Sequence, residues 1–274
     1  MNLKHSKERA FTLIELLVVI AIVGILSSVI YTNITGLRDR AKVTAGIRFD
    51  SSLLHSIGDQ LVGEWTFDSP SLPLIDTSGF GNNGTCTSCP TYATTSGYNN
   101  KGAESFDGTD NYINISGGSS LKMTDEVTVS AWVNLQGDVV ASHETAVVLG
   151  APASRLTFVV KRNFTLFRFS YWDINNSWKE STLTLTRGQF YHLVWVVKNG
   201  QYVKFYSNGQ FVGSSTLSAF PTLDGSAKIG FSGGSAEFLR GTIDDVRIYS
   251  SALSGSDIQK LYAKGKTSHE VATK

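Results

Sequence analysis

The chain has 274 residues, 24 basic against 23 acidic, with 41% hydrophobic and 11% aromatic residues and 26 glycines. A net charge of +1 excludes recruitment of nucleic acid or anionic lipid by bulk electrostatics, so partners must come from particular sites. The two cysteines, Cys86 and Cys89, exclude a dense disulfide framework and a four-cysteine zinc site.

The first ten residues carry Lys4, Lys7 and Arg9 against Glu8, and removing them leaves the remainder formally −1. An almost unbroken apolar run of 21 residues follows, from Phe11 to Tyr31. As a helix it spans about 30 Å of hydrocarbon. The run is longer than the apolar core of a cleavable secretory signal. The basic leader holds its own end in the cytoplasm and sends the bulk of the chain outward. Glu15 interrupts the run, and an ionisable group there costs roughly 2.5–3.5 kcal/mol at the membrane centre, so it needs a cationic partner.

Arg9-Ala10-Phe11-Thr12-Leu13-Ile14-Glu15-Leu16-Leu17 resembles the processing motif of type IV prepilins. That resemblance implies cleavage between Ala10 and Phe11 by a prepilin peptidase and N-methylation of Phe11. It also implies assembly with other pilin-like subunits, in which Glu15 neutralises a neighbour's amino terminus. The protein is then a single-pass inner-membrane protein before assembly and a cell-surface, pilus or pseudopilus component after it. Ala10 stands where the family usually has Gly, which keeps an uncleaved signal-anchor helix as the alternative.

Past the run, Ile34, Leu37, Ala41, Ala45, Phe49, Leu53 and Ile57 recur at three- and four-residue steps and mark one stripe of an amphipathic helix. Helix from Phe11 to about Asp59 makes a rod roughly 70 Å long.

From Leu61 the period changes to two. Val127, Val129, Ala131 and Val133 alternate with Thr128, Ser130 and Trp132. The passage from Tyr191 to Val212 is punctuated by Asn199-Gly200 and Asn208-Gly209, which predicts consecutive tight hairpins. Many short strands with almost no helical pattern predict a two-sheet sandwich or jelly roll. Ser254 and Asp257 open a short helix through Ile258, Leu261 and Tyr262.

Gly63-Glu64-Trp65-Thr66-Phe67-Asp68, Asp76 to Gly84, Ser105-Phe106-Asp107-Gly108, Val129 to Val133 and Ile243-Asp244-Asp245-Val246-Arg247-Ile248-Tyr249 are similar, in order, to laminin G-like, concanavalin-type modules of bacterial surface proteins. The fold class is therefore α+β overall: a long N-terminal membrane and assembly helix, an antiparallel all-β jelly roll, and a short C-terminal helix. The organisation is a leader at 1–10, a membrane and assembly helix at 11–31, its amphipathic continuation at 32–60, a jelly-roll head at 61–262 and a flexible tail at 263–274.

Modules of this kind often hold a structural calcium ion, for which Asp68, Asp76, Asn83 and Asp107 are the candidate ligands; the other reading is that these residues serve turn geometry. Cys86-Thr87-Ser88-Cys89 lies in an extracytoplasmic loop and favours a short disulfide. Arg247 falls on the same strand face as Asp245, which favours a structural ion pair. Tyr171, Trp172 and Trp178 bracket a polar stretch and are candidates for stacking on a sugar or anchoring a protein, against plain core or rim packing. No glucanase-type Glu-x-Asp-x-x-Glu, Gly-x-Ser-x-Gly elbow or phosphate-binding loop occurs, so no enzymatic activity is expected. The function expected is a minor pilin or pseudopilin displaying a head that binds a glycan or surface protein. The alternative is a non-adhesive component of a secretion or DNA-uptake pseudopilus.

Overall fold

A computed structural model of the chain describes residues 13, 14, 16–23, 57–98, 101–136, 143–151, 154–163, 166–172, 177–233 and 237–270. The chain divides into two compact units, Met1–Ser52 and Leu53–Lys274. In the first, residues 13, 14 and 16–23 are helical, and Leu13, Ile14, Leu16, Leu17 and Ile20 are exposed. Among the described residues no helix is long and apolar enough to cross a membrane. Ala10, Phe11, Glu15 and most of the run to Tyr31 lie outside them.

In the second unit the described residues form fifteen strands: β1 (Leu61–Trp65), β2 (Gly84–Thr85), β3 (Thr91–Ala93), β4 (Ala103–Asp107), β5 (Ile113–Ile115), β6 (Glu126–Leu135), β7 (His143–Ala151), β8 (Ser154–Asn163), β9 (Leu166–Trp172), β10 (Trp178–Leu185), β11 (Phe190–Lys198), β12 (Tyr202–Ser207), β13 (Gln210–Thr216), β14 (Ala227–Ile229) and β15 (Arg240–Tyr249). The first sheet runs β13-β12-β11-β6-β15-β4-β3, with β1 also on β15. The second runs β10-β9-β8-β7-β14-β5-β2. The pairings are antiparallel.

Period-two alternation decides what each sheet buries. Val127, Val129, Ala131, Val133 and Leu135 of β6 enter the space between the sheets, where they meet Trp195, Phe205, Phe158 and Tyr171. The meander β11-β12-β13 forms as the sequence predicts, but its two turns differ. Ser207 pairs with Gln210 across Asn208-Gly209, both at positive φ (50° and 78°), the two-residue geometry that matches strand twist. At the other turn Lys198 pairs with Tyr202, so Asn199, Gly200 and Gln201 make a three-residue loop.

The outer face of the first sheet is covered as well. Val194 and Val196 of β11 point away from the inter-sheet core and pack with Ile57, Tyr206, Tyr249, Leu253, Ile258 and Leu261. The last two belong to the C-terminal helix, Gly255–Glu270. Its start is capped by Ser254, whose Oγ accepts the Asp257 N–H at 3.2 Å. The tail expected to be flexible from residue 263 is helical through Glu270. Gly265 is buried against Trp132, and a Cβ there would stand 2.9 Å from the indole, so a glycine that weakens the helix locally is what lets it close on the sheet.

Candidate functional site

Trp172 ends β9 and Trp178 begins β10, and the two are directly paired across the strands. Their rings meet edge-to-face, centroids 4.6 Å apart at 63°, a geometry that aromatic quadrupoles favour. Trp172 also pairs with Thr157 of β8, which in turn pairs with Val148 of β7. Along this row Val148 and Thr157 are buried while both tryptophans are half-buried, so the pair is the more accessible end of the row. The intervening residues 173–176 lie outside the described ones.

Tyr171 does not join them. Adjacent strand residues face opposite ways, and Tyr171 points between the sheets, fully buried, with its ring 5.7 Å from Phe158. Phe158 in turn lies 5.5 Å from Trp195, whose indole N–H donates to the Ser170 carbonyl at 2.8 Å. Tyr171 is a core residue, and its assignment to a ligand surface is corrected on that ground.

Three of the four residues named as candidate calcium ligands, Asp76, Asn83 and Asp107, accept backbone N–H groups of their loops. Asp76 Oδ1 accepts the N–H groups of Glu64 and Ser78, both at 2.9 Å, and Oδ2 accepts that of Asn82 at 2.8 Å. Asn83 Oδ1 accepts the Asp76 N–H at 2.9 Å. Asp107 Oδ1 accepts the Thr109 N–H at 2.8 Å, and Asp68 sits 3.5 Å from Lys101 Nζ. Among the described residues no three His, Cys, Asp or Glu side chains gather into a group that could hold a metal ion. The backbone N–H groups held by Asp76, Asn83 and Asp107 fit the reading in which these residues serve turn geometry.

Asn82, beside that loop, is a structural residue that sequence reading passed over. Its Nδ2 donates to the Val62 carbonyl and Ser120 Oγ, and its own carbonyl accepts the Trp65 indole N–H at 3.1 Å. Cys86 and Cys89 are joined as a disulfide with a Cα–Cα distance of 4.9 Å.

The outer face of the first sheet holds a polar and aromatic cluster, and most of it is invisible to local pattern. Trp132, buried, is stacked by Tyr98 at 3.5 Å and by Tyr262 of the C-terminal helix at 5.7 Å. His192 Nε2 lies 2.8 Å from Ser130 Oγ, and burial, with the nearby Arg247 charge, holds its imidazole down at about 3. It stays neutral at physiological pH. Asp244, paired with Trp132 across the strands, accepts the Tyr98 N–H at 3.1 Å. Burial, and then the neighbouring Asp245 charge, push its carboxyl up to about 8. Arg247 bonds Glu64 at 2.8 Å and Asp245 at 3.1 Å, the ion pair that the strand spacing favours, with Glu64 as a second partner. Tyr98 and the C-terminal helix cover this cluster, which gives it a structural role.

Two packed antiparallel sheets with a covering helix define a double-sheet jelly roll. Residues 107–259, more than half of the chain, match the concanavalin A-like lectin/glucanases superfamily, laminin G type, and the chain belongs to that family. Residues 5–31 match the prokaryotic N-terminal methylation motif. No curated protein matches the chain.

Among solved structures the chain is similar to domain 4 of AbnA, a GH43 extracellular arabinanase from Geobacillus stearothermophilus, in complex with arabinotriose. The identity is 24% over 74% of this chain and 98% of that one, with a TM-score of 0.59. It is also similar to the botulinum neurotoxin serotype D ligand binding domain in complex with N-acetylneuraminic acid, at 19% identity over 77% and 52% of the two chains with a TM-score of 0.58. The binding domain of Paraclostridial Mosquitocidal Protein 1 is 14% identical over 75% and 52%, with a TM-score of 0.59. The chain spans about half the length of these last two. The likeness to all three is one of fold.

Proposed function

We propose that this protein is a minor pilin or pseudopilin whose jelly-roll head is a non-catalytic binding module for a glycan or a glycan-bearing surface protein. The observation that carries the reading is the Trp172–Trp178 pair, two half-buried indoles held edge-to-face at 4.6 Å on one end of a sheet row. Indole faces stack on the apolar faces of sugars and anchor protein partners, at small cost in side-chain entropy because packing already restrains them. The methylation motif at residues 5–31 supports membrane insertion, processing by a prepilin peptidase after Ala10 and assembly through the apolar helix. Structural neighbours bound to arabinotriose and to N-acetylneuraminic acid support a carbohydrate as the ligand class.

The test is a glycan array and a surface-protein binding assay with the full chain in detergent micelles, beside sheared-filament preparations from cells. Trp172→Ala together with Trp178→Ala removes binding at least tenfold and leaves the chain in the filament fraction. A wild-type chain that binds nothing, while substitutions on the head surface abolish filament formation, overturns the adhesive reading in favour of an assembly role.

A further inference from the structure

Glu104 lies in the middle of β4 with Tyr92 of β3 on one side and Ile243 of β15 on the other. Its neighbour Phe106 is in the inter-sheet core, and period-two geometry turns Glu104 to the same side of the sheet. The side chain is therefore almost wholly inside: the residue is 4% exposed. Buried acids elsewhere in the head have partners, Glu144 with Arg187 at 2.7 Å for example. Glu104 has no hydrogen-bond or ion-pair partner among the described residues. A carboxylate in that position costs several kcal/mol unless something compensates it.

The residue lines a cavity of about 140 Å³. Its other walls are apolar or neutral: the Pro70-Ser71-Leu72 segment, Leu74, Pro90, Tyr92 and the Cys86–Cys89 disulfide. Leu72, 68% exposed, stands at the mouth. The Tyr92 hydroxyl is directed elsewhere, donating to the Asp68 carbonyl at 2.9 Å. No charged side chain other than Glu104 lines the cavity, whether from the 70–74 segment, the disulfide loop, β3 or β4. A cavity of ~150 Å³ accommodates benzene, so a guest of about five heavy atoms fits and a disaccharide does not.

We propose that this cavity is a binding site for a primary alkylammonium group, whose aliphatic stem lies along the proline and leucine walls and whose ammonium pairs with Glu104. The guest supplies the counter-charge that the cavity lacks, and it covers apolar wall with apolar stem. A neutral guest of the same shape supplies only the second. The site is separate from the tryptophan pair and does not depend on the binding role proposed for it. Burial alone pushes the Glu104 carboxyl up to about 7. The ammonium requires the ionised form, so affinity rises with pH through neutrality.

The experiment titrates the full chain in detergent micelles by calorimetry with n-butylammonium, with butan-1-ol as the neutral isostere, and with Nα-acetyl-lysine methylamide. Butylammonium saturates the chain and binds about tenfold more tightly at pH 8 than at pH 6, following the ionised fraction of an acid near 7. Glu104→Gln loses at least tenfold in affinity while its thermal melt stays cooperative. The carboxyl carbon of Glu104, followed by NMR in the unsubstituted chain, titrates at least one pH unit lower in saturating amine, a readout independent of any variant. Capped lysine binding as well as butylammonium identifies a lysine side chain of another polypeptide as the guest; butylammonium binding alone identifies a free small amine. Equal binding of butan-1-ol, undiminished binding by Glu104→Gln, or an unmoved carboxyl titration overturns the proposal.

Discussion

Asp244 and Tyr98 are joined by a hydrogen bond from the Tyr98 N–H to Asp244 Oδ2 at 3.1 Å, and Oδ1 of the same buried carboxyl has no hydrogen-bond partner among the described residues. The bond ties the loop that carries Tyr98 to the sheet and sets Tyr98 over Trp132. Because burial and the Asp245 charge raise the Asp244 carboxyl to about 8, the folded chain keeps a proton there that the unfolded chain releases near pH 4. Stability therefore falls as pH rises between about 4 and 8 and is level above that. Asp244→Asn removes this slope and leaves the variant more stable than the parent at pH 9 by about 1–3 kcal/mol, the range for a buried polar group left unmade. Urea unfolding midpoints of both chains at pH 5 and 9 measure it.

Glu64 behaves with the opposite sign. Burial pushes its carboxyl up, but the Arg247 charge and hydrogen bonds from Thr77 and Arg247 bring it below the ordinary value. That stabilisation is complete above about pH 4.5 and is lost as pH falls through the lowered value. Arg247→Met leaves the Glu64 and Asp245 carboxylates without their cation and costs about 3–5 kcal/mol at pH 7. The loss shrinks in acid as the Glu64 carboxyl takes up its proton, and chemical denaturation across the acid range gives the comparison.

Tyr171 and Trp172 are adjacent in sequence and opposite in role. Tyr171→Ala opens the inter-sheet core and costs about 3–5 kcal/mol. Trp172→Ala removes an edge-to-face partner at the accessible end of a row and costs about 0.5–1.5 kcal/mol beyond its lost buried area. Thermal melts of the two variants separate a core residue from a surface one, and a large loss for Trp172→Ala contradicts the surface assignment.

Asp76 holds three backbone N–H groups from Glu64, Ser78 and Asn82, tying β1 to the following loop. Asp76→Ala leaves them without their charged acceptor and costs roughly 2–4 kcal/mol. Added calcium or a chelator leaves the melting temperature of the parent within 1 °C, roughly the scatter of a melt, since a bound ion would raise it by mass action. A calcium-dependent rise of several degrees overturns the turn-organising role.

Gly265→Val tests the closure of the C-terminal helix. The first carbon of the new side chain meets the Trp132 indole at 2.9 Å, and valine brings no strong helix propensity in compensation. Overpacking of this kind costs about 1–3 kcal/mol. The local readout is Trp132 fluorescence, which shifts as the stack with Tyr98 and Tyr262 loosens.

The parts of the head that local pattern reveals are those in which neighbours in sequence are neighbours in space. The Asn208-Gly209 turn demands two positive φ angles that glycine and asparagine tolerate, and β6 alternates because one face of it is core. The capped start of the C-terminal helix is legible in the same way. Its extension past residue 263 is not legible in that way, because it rests on a tertiary contact between Gly265 and an indole more than a hundred residues earlier.

By itself the sequence determined the apolar run with its processing motif, the two-period change at Leu61, the jelly-roll class and the Asp245–Arg247 pair, all of which depend on spacing along the chain. Tertiary structure alone decided that Tyr171 faces inward while Trp172 meets Trp178, that Asp76 spends both oxygens on backbone protons, and that Glu104 faces an apolar cavity walled by a disulfide. The reason is common to the three. Strand period says that adjacent residues take opposite faces, but which face becomes interior, and which groups from distant strands arrive beside it, is set only when the two sheets pack.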